Sequence, residues 1–192
     1  MNLFALNSPS ITGEVLCPGD KSISQRAVII GSLINQDMTI EGFLNGEDPI
    51  STINALNAIG SSIEINNTSV TIKKRETAFS SPKDDVDLGN SGTGMRLMMG
   101  LISSLGINTT LVGDKSLSRR PMLRVSEPLN SMGANILCRD GMPPVQITKG
   151  NIKNNFSYDM PIASAQVKSS IILAALAANE SVTVKEKYQT RN

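Results

Sequence analysis

A repeat with a period of about 70 residues constrains the fold of this chain more than any other feature. The segment LNAIGSSIEINNTSVTIKK resembles LNSMGANILCRDGMPPVQITKG, and their glycines, Gly60 and Gly133, are 73 positions apart. Three strand-like segments, QDMTIEG, INTTLVG and NESVTVKE, recur at offsets of 71 and 73. Self-similarity at a fixed period indicates repeated supersecondary units. We therefore expect two complete units of helix, strand, helix, strand, strand, and the opening of a third.

Hydrophobic periodicity divides the units into elements of an α/β fold. Helices are predicted over about 22–35, 48–60, 91–106, 119–133 and 164–178. Strands are predicted over about 11–17, 37–41, 61–65, 69–74, 109–112, 134–138, 144–148 and 181–185. The polar segments KRETAFSSPKDD and TKGNIKNNFSYD are interpreted as connectors between units, and Pro18-Gly19 separates the first strand from the repeat.

The composition excludes several classes of chemistry. The 192 residues contain no histidine, which excludes a Ser-His-Asp triad, a histidine base and histidine metal ligands. Catalysis would have to use Lys, Arg, Asp, Glu, Ser or backbone amides. With no tryptophan and 3% aromatic residues, the chain is poorly supplied for stacking nucleic-acid bases, and its net charge of +1 does not favour a polyanion.

The distribution of apolar residues favours a globular protein of the cytoplasm. With 40% hydrophobic residues, the chain is long enough for a substantial core. Uncharged apolar runs are shorter than the roughly 20 residues that a membrane span needs, and the N-terminus lacks the pattern of a signal peptide. Cys17 and Cys138 lack metal-ligand spacing and are predicted to be reduced thiols.

Each unit opens with a helix whose first turn is polar and whose body is apolar: DKSISQRAVIIGSL, GNSGTGMRLMMGLISSL and ASAQVKSSIILAALAA. Arg26, Arg96 and Lys168 occupy equivalent positions, one turn inside each helix. For any single helix, an ordinary cap and a snorkelling cation would explain the pattern. Three matched copies instead favour an electropositive surface that binds phosphate or carboxylate groups, because helix starts expose unpaired amides and partial positive charge.

The tetrad Gly-Asp-Lys-Ser occurs twice, at Gly19–Ser22 and at Gly113–Ser116. Neither copy is a nucleotide P-loop, because that motif needs glycine directly before lysine. The GNSGTG stretch likewise departs from the dinucleotide-binding pattern. We expect the two tetrads to occupy different structural positions, with the first at a helix start and Lys115 of the second a solvated loop residue.

Four segments carry a resemblance to a known family: PGDKSISQRAVIIGSL, LGNSGTGMRLMMGL, GDKSLSRRPMLRVSEPL and SAQVKSSIILAAL. Together they resemble the EPSP synthases, the 3-phosphoshikimate 1-carboxyvinyltransferases, and SAQVK and SLSRRPM resemble the second class of that family. The resemblance implies an inside-out α/β barrel of pseudo-threefold βαβαββ units. Residues 18–192 would form the first of two lobes, with units at about 19–80, 81–155 and 156–192, and the strand in residues 1–17 would belong to the second lobe.

The resemblance also implies an activity. Family members transfer the enolpyruvyl group of phosphoenolpyruvate to the 5-hydroxyl of 3-phosphoshikimate and release phosphate, in the pathway to chorismate and the aromatic amino acids. No metal or organic cofactor is implied, and glyphosate is a candidate inhibitor. The implied partners are small molecules rather than nucleic acid or membrane, and the full-length enzyme would be a monomer.

Site residues are implied one by one. Lys21 would touch both substrates, and Lys21 and Arg120 are the catalytic candidates. The residues implied to bind 3-phosphoshikimate are Lys21, Ser22, Arg26, Ser164, Ala165, Gln166 and Arg191. Those implied to bind phosphoenolpyruvate are Lys21, Asn90, Gly92, Thr93, Arg120 and Gln166. Arg96 would be a supporting charge.

The chain departs from the family in length. Family members are about twice as long, and their acid and base lie in the second lobe. We therefore expect a truncated or proteolysed product, or an incomplete sequence, and a partial substrate surface with little or no turnover. Two alternatives stay open: a non-catalytic anion-binding module, and the related enolpyruvyltransferase acting on UDP-N-acetylglucosamine, although its usual reactive cysteine is missing from the loop before Arg120.

Overall fold

The computed structural model describes Phe4, Ser10 and residues 12–187 of the chain. The first unit contains α1 (Lys21–Ile34), β1 (Met38–Ile40), α2 (Glu47–Ala58), β2 (Ser62–Asn66) and β3 (Ser69–Lys73). The second contains β4 (Val86–Asp87), α3 (Gly92–Ile102), β5 (Thr109–Val112), a 3-10 turn (Leu117–Arg119), α4 (Leu123–Ser131), β6 (Asn135–Arg139) and β7 (Met142–Thr148). The third contains β8 (Phe156–Met160), α5 (Ala165–Ala178) and β9 (Val182–Glu186).

The sheets confirm the predicted repeat. Strand order is β1-β3-β2 in the first sheet and β4-β5-β7-β6 in the second, so β1, β2 and β3 correspond to β5, β6 and β7. In both sheets these three strands pair antiparallel. The pair β8-β9 is parallel, as β4-β5 is. The first two units therefore share an antiparallel three-strand arrangement, and the second and third share a parallel pair.

A pair of hydrogen bonds made by one asparagine side chain, called here the asparagine bracket, recurs with the period of the repeat. The Asn57 side chain donates to the carbonyl of Ile63 and accepts from its amide, both at 2.9 Å. Asn130 makes the same pair of bonds to Ile136, also at 2.9 Å. In both units this asparagine clamps the end of a helix to the strand that follows, across a glycine with a positive φ of 109° at Gly60 and 108° at Gly133. Positive φ is the reason that glycine stands at both positions.

The first helix of each unit, α1, α3 and α5, begins with a side-chain cap, as expected. Asp20, Ser91 and Ser164 each accept the amide N–H of the residue three positions on. The second helices, α2 and α4, follow Gly46 and Met122, neither of which provides a side-chain cap. Side-chain caps are thus confined to one helix per unit among the five described helices.

The core lies around α3, which is buried along nearly its whole length. Its backbone packs directly against the backbone of α5, since a Cβ at Gly100 would lie 2.2 Å from the carbonyl oxygen of Ser170. The Ser170 hydroxyl donates to the carbonyl of Arg96 at 2.7 Å. This close packing joins the second unit to the third. No helix in the described part of the chain is long and apolar enough to cross a membrane.

Several predicted elements are wrong. The described part of the predicted first strand, residues 12–17, is exposed and forms no strand, because no other described strand pairs with it. The helix predicted from residue 119 begins at Leu123, since Arg120 is extended and Pro121 follows it. The helix predicted over 91–106 ends at Ile102 and continues as turns. The short strand β4 and strand β8 were not predicted, and β8 lies in a segment interpreted as a connector.

Candidate active site

The starts of α1, α3 and α5 converge on one cleft. Its lining includes Ser22, Arg26, Thr93, Ala165, Gln166 and Ser169. Five of these six residues were predicted from sequence to be site residues, and they come from all three units. The cleft is therefore assembled by the repeat, with hydroxyls, an amide and a guanidinium presented to solvent.

Arg26 and Arg96 hold equivalent positions in three dimensions. Arg26 donates to the carbonyl of Ser22, four residues back, at 3.1 Å, and to the hydroxyl of Ser169 at 2.9 Å. Arg96 likewise donates to the carbonyl of Gly92, four residues back, at 3.3 Å. Both guanidiniums are thus folded back toward the helix start, which concentrates positive charge where the helix dipole is already positive.

Lys168, the third predicted member of this set, is different. Its ammonium forms an ion pair with Glu186 on β9 at 2.9 Å. The expectation that three matched cations line one surface is therefore wrong for the third unit. A carboxylate neutralises Lys168, whereas Arg26 and Arg96 are bonded to neutral groups.

Arg120 lies against the start of α3. It donates to the side-chain oxygen of Asn90 and, at 3.2 Å, to the hydroxyl of Ser116. A Cβ on Gly92 would lie 2.8 Å from Nη1 of Arg120 and 3.2 Å from Nη1 of Arg96. Glycine at position 92 thus lets two guanidiniums reach the helix start, and a side chain there would displace them.

Arg124 lies beside Arg96 and Arg120 and is not among the site residues predicted from sequence. From the first turn of α4 it donates to Oε1 of Gln166 at 3.2 Å. The same oxygen accepts from Arg96 at 3.0 Å, and the Gln166 amide nitrogen donates to the hydroxyl of Thr93 at 3.0 Å. Gln166 therefore links two arginines to α3. The available signal was the spacing in RRPMLR, which places a second arginine one turn beyond Arg120.

The three arginines form a centre of uncompensated positive charge. Burial, as the largest cause, together with the neighbouring charges of Arg124 and Arg120 lowers the pKa of Arg96 to about 10. In the described part of the chain, none of the three makes an ion pair with a carboxylate. Arg96 still remains protonated near neutral pH, and the arrangement favours an anion that can bind to several guanidiniums at once.

Lys21 begins α1 at the edge of the cleft. Its ammonium, half exposed, forms an ion pair with Asp48 at the start of α2, at 2.9 Å. Behind it, the buried Gln25 amide donates to the hydroxyls of Thr52 and Ser91 at 2.9 and 2.8 Å. Because Ser91 is the cap of α3, Gln25 fixes the relative positions of three helix starts.

The two Gly-Asp-Lys-Ser tetrads hold different places in the repeat, as expected, since the first leads into α1 and the second follows β5. Their local turns are nevertheless alike. Asp20 accepts from the amide of Ile23 at 2.8 Å, and Asp114 accepts from the amide of Leu117 at 2.7 Å. Each aspartate thus caps a helical turn. Lys115 is exposed, as expected. Arg191, a predicted site residue, lies outside the described residues.

Comparison with known proteins identifies the family. Residues 7–191 match the sequence model of EPSP synthase (3-phosphoshikimate 1-carboxyvinyltransferase). The chain is 47% identical over 182 residues to the 3-phosphoshikimate 1-carboxyvinyltransferase of Thermoanaerobacter sp. (strain X514), covering 95% of this chain and 43% of the relative. It is 45% identical over 200 residues to that of Oceanobacillus iheyensis, covering 100% of this chain and 46% of the relative.

A solved structure agrees with these sequences. The EPSP synthase of Acinetobacter baumannii superposes with a TM-score of 0.85 at 40% identity, over 94% of this chain and 41% of that one. The described residues thus have the mixed α/β fold of part of that enzyme. The chain spans less than half the length of the relatives it matches. On sequence and on structure, it belongs to the EPSP synthase family.

Proposed function

We propose that this chain supplies the anion-binding surface of an enolpyruvyl transferase. The reaction would move the enolpyruvyl group of phosphoenolpyruvate to the 5-hydroxyl of 3-phosphoshikimate, giving 5-O-(1-carboxyvinyl)-3-phosphoshikimate and phosphate. The observation that carries the proposal is the convergence of Arg96, Arg120 and Arg124, without an ion-paired carboxylate, beside the cleft between α1 and α5. Both substrates are anions, and we propose one of these two neighbouring regions for each.

The cleft between α1 and α5 is the proposed site for 3-phosphoshikimate. Arg26 and the hydroxyls of Ser22 and Ser164 would bind its phosphate and ring hydroxyls. Ala165 would offer only its backbone, and Gln166 would contact both substrates. Arg191 is proposed as a further contact on the strength of the family resemblance.

The arginine cluster is the proposed site for phosphoenolpyruvate. The planar fork of Arg120 would clamp the phosphate or carboxylate in a bidentate manner. Asn90, Gly92 and Thr93 would form the wall behind it, with Arg96 and Arg124 adding charge. Lys21, freed from Asp48, would reach both substrates from the edge.

Catalysis by these residues would come from orientation and charge neutralisation. Bringing two polyanions together is opposed by their repulsion, which fixed cations reduce, and holding them in place removes an entropic barrier. Proton transfer to the methylene carbon and from the 5-hydroxyl is proposed to come from carboxylates in the second lobe of the longer relatives. We accordingly propose residues 18–192 as first-lobe sequence and residues 1–17 as sequence associated with the second lobe.

Other properties are proposed on the resemblance alone. A cytoplasmic location and a monomeric full-length enzyme fit a small-molecule transferase. Glyphosate is a candidate inhibitor at the phosphoenolpyruvate region.

Calorimetric titration of the 192-residue chain tests the proposal. We expect phosphoenolpyruvate and 3-phosphoshikimate both to bind the unaltered chain. Arg120→Gln should lower phosphoenolpyruvate affinity at least tenfold, since it removes a charge-assisted contact of about 1.5–3 kcal/mol, and leave 3-phosphoshikimate affinity within about twofold. Arg139→Gln, on the exposed face of β6, is the matched control and should change neither affinity.

Several results would contradict the proposal. These are a chain that binds neither substrate, equal losses in Arg120→Gln and Arg139→Gln, or tighter binding of UDP-N-acetylglucosamine than of 3-phosphoshikimate. The last result would favour the sibling transferase.

A further inference from the structure

The carboxylate of Asp114, in the second Gly-Asp-Lys-Ser tetrad, uses its two oxygens for two different partners. Oδ1 accepts the amide of Leu117 at 2.7 Å and so caps the 3-10 turn. Oδ2 accepts the side-chain amide of Asn90 at 2.9 Å. The other end of that amide, Oδ1 of Asn90, accepts from Nη2 of Arg120. A continuous path of hydrogen bonds therefore runs from Asp114 through Asn90 to Arg120.

We propose that Asp114 is a positioning residue for Arg120 and acts through Asn90. This inference rests on the proposed function only in that Arg120 is taken to bind the substrate anion. A carboxylate accepts hydrogen bonds and donates none, so it selects the orientation of Asn90 that turns the NH2 group toward Asp114. The carbonyl oxygen of Asn90 must then face the guanidinium. In the flipped orientation two donors would meet at Arg120.

The surrounding loop supports the same role. The Asp114 amide donates to the carbonyl of Gly89 at 2.9 Å, which fastens the tetrad to the loop before α3. Ser116 accepts a second bond from Nη2 of Arg120 at 3.2 Å. Asp114 and Ser116 thus restrain one guanidinium from two sides, and Gly92 leaves it room.

Charge and positioning predict opposite effects of removing Asp114 on the affinity for an anion. A carboxylate near an anion site repels the ligand, so if only its charge mattered, removing Asp114 would tighten anion binding. Asp114 makes no ion pair with Arg120 among the described residues, so its removal would not free that arginine from a competitor. Positioning predicts the opposite outcome, weaker binding, because Arg120 would lose its fixed orientation.

The test uses Asp114→Ser in the 192-residue chain, titrated with phosphoenolpyruvate. Serine remains a good helix cap, but its short side chain cannot also hold Asn90. We expect affinity to fall about three- to tenfold, as for the loss of one hydrogen bond to a binding group. The matched control, Lys115→Ala, changes an exposed neighbour and should stay within about twofold. Unchanged or tighter binding in Asp114→Ser would overturn the proposal.

A double-mutant cycle then tests whether Asp114 acts through Arg120. In an Arg120→Gln background, Asp114→Ser should have no further effect on phosphoenolpyruvate affinity. Additive losses would overturn the proposed path.

A separate readout keeps this proposal distinct from the proposed function. The NMR resonance of the Arg120 side-chain Nε–H should shift and broaden in Asp114→Ser and stay unchanged in Lys115→Ala, without any ligand. If the unaltered chain fails to bind phosphoenolpyruvate, the proposed function fails, yet this resonance still tests the positioning. An unchanged resonance in a folded Asp114→Ser chain would overturn it.

Discussion

The two Gly-Asp-Lys-Ser tetrads start in the same way and end differently. In each, the aspartate side chain accepts the amide N–H three residues on. The backbone carbonyl of the same aspartate accepts the amide N–H four residues on, from Ser24 or from Ser118. The first turn continues into the 14 residues of α1. The second ends after a three-residue 3-10 turn, and Arg120 is extended.

The residues that follow each tetrad explain the difference. SISQRAVIIGSL has a continuous apolar stripe that a helix can bury, whereas LSRRP reaches a proline that disfavours helix at the residue before it. The tetrad therefore sets a local turn, and the next few residues decide which side chain the turn presents. In the first tetrad this is Lys21, at a helix start, and in the second it is Arg120, on an extended segment.

Replacing the glycine that begins each tetrad should give the largest difference between the two tetrads. A Cβ at Gly19 would lie 2.1 Å from the carbonyl oxygen of Gly42, which is fixed backbone. A Cβ at Gly113 would meet Cδ2 of Leu117 at 2.4 Å and the carbonyl oxygen of Gly89 at 2.8 Å. We expect Gly19→Ala to cost about 3 kcal/mol and Gly113→Ala about 1–2 kcal/mol in the free energy of unfolding, measured by urea denaturation. Equal losses would show that the Leu117 side chain cannot move aside.

Replacing the lysine of each tetrad by methionine should show that only the first tetrad contributes to substrate binding. Lys21→Met removes the cation at the start of α1 and should weaken binding of 3-phosphoshikimate and phosphoenolpyruvate at least tenfold, about 1.4 kcal/mol or more. Lys115→Met removes an exposed charge with no ion pair in the described part of the chain and should change both affinities less than twofold. Calorimetry measures both variants, and a comparable loss in Lys115→Met would remove the distinction.

Removing the caps should give the smallest difference. Asp20→Ala leaves the start of a 14-residue helix without its side-chain cap and should cost about 1 kcal/mol in the free energy of unfolding. Asp114→Ala uncaps only one short turn and removes an exposed hydrogen bond to Asn90, so a loss of about 0.5 kcal/mol is expected. Denaturant midpoints measured side by side test the order, and a larger loss in Asp114→Ala would reverse it.

Much of the fold could be predicted because its signals are periodic. The repeat, the five helices and seven of the predicted strands follow from apolar spacing. The strand β8 was missed because its alternation, with Phe156, Tyr158 and Met160 on the inner side, lies in a segment rich in Asn and Lys. The strand β4 has only two residues, too few for any periodicity. The described part of the predicted first strand fails because a strand needs a partner, and alternation says nothing about one.

The site was predictable where it depends on helix starts and less so where it depends on packing. The cleft residues lie in the three polar openings, and the family resemblance implied them one by one. Arg124 was missed because the predicted helix began too early, which hid its place in the first turn of α4. Lys168 was wrongly predicted to line the anion-binding surface. Its ion pair with Glu186 joins residues of two elements, and no local sequence pattern indicates that pairing.

The asparagine brackets described above have a consequence for engineering. Asn57 and Asn130 each close a seven-residue segment, ending at Ile63 and Ile136, with the same bonds and with glycine at the same place. The two segments are therefore equivalent connectors, each carrying its own specification for joining a helix to a strand. Such a connector can be transferred to another helix-strand pair as one segment. The asparagine and the glycine must be transferred together, because neither alone would form the connection.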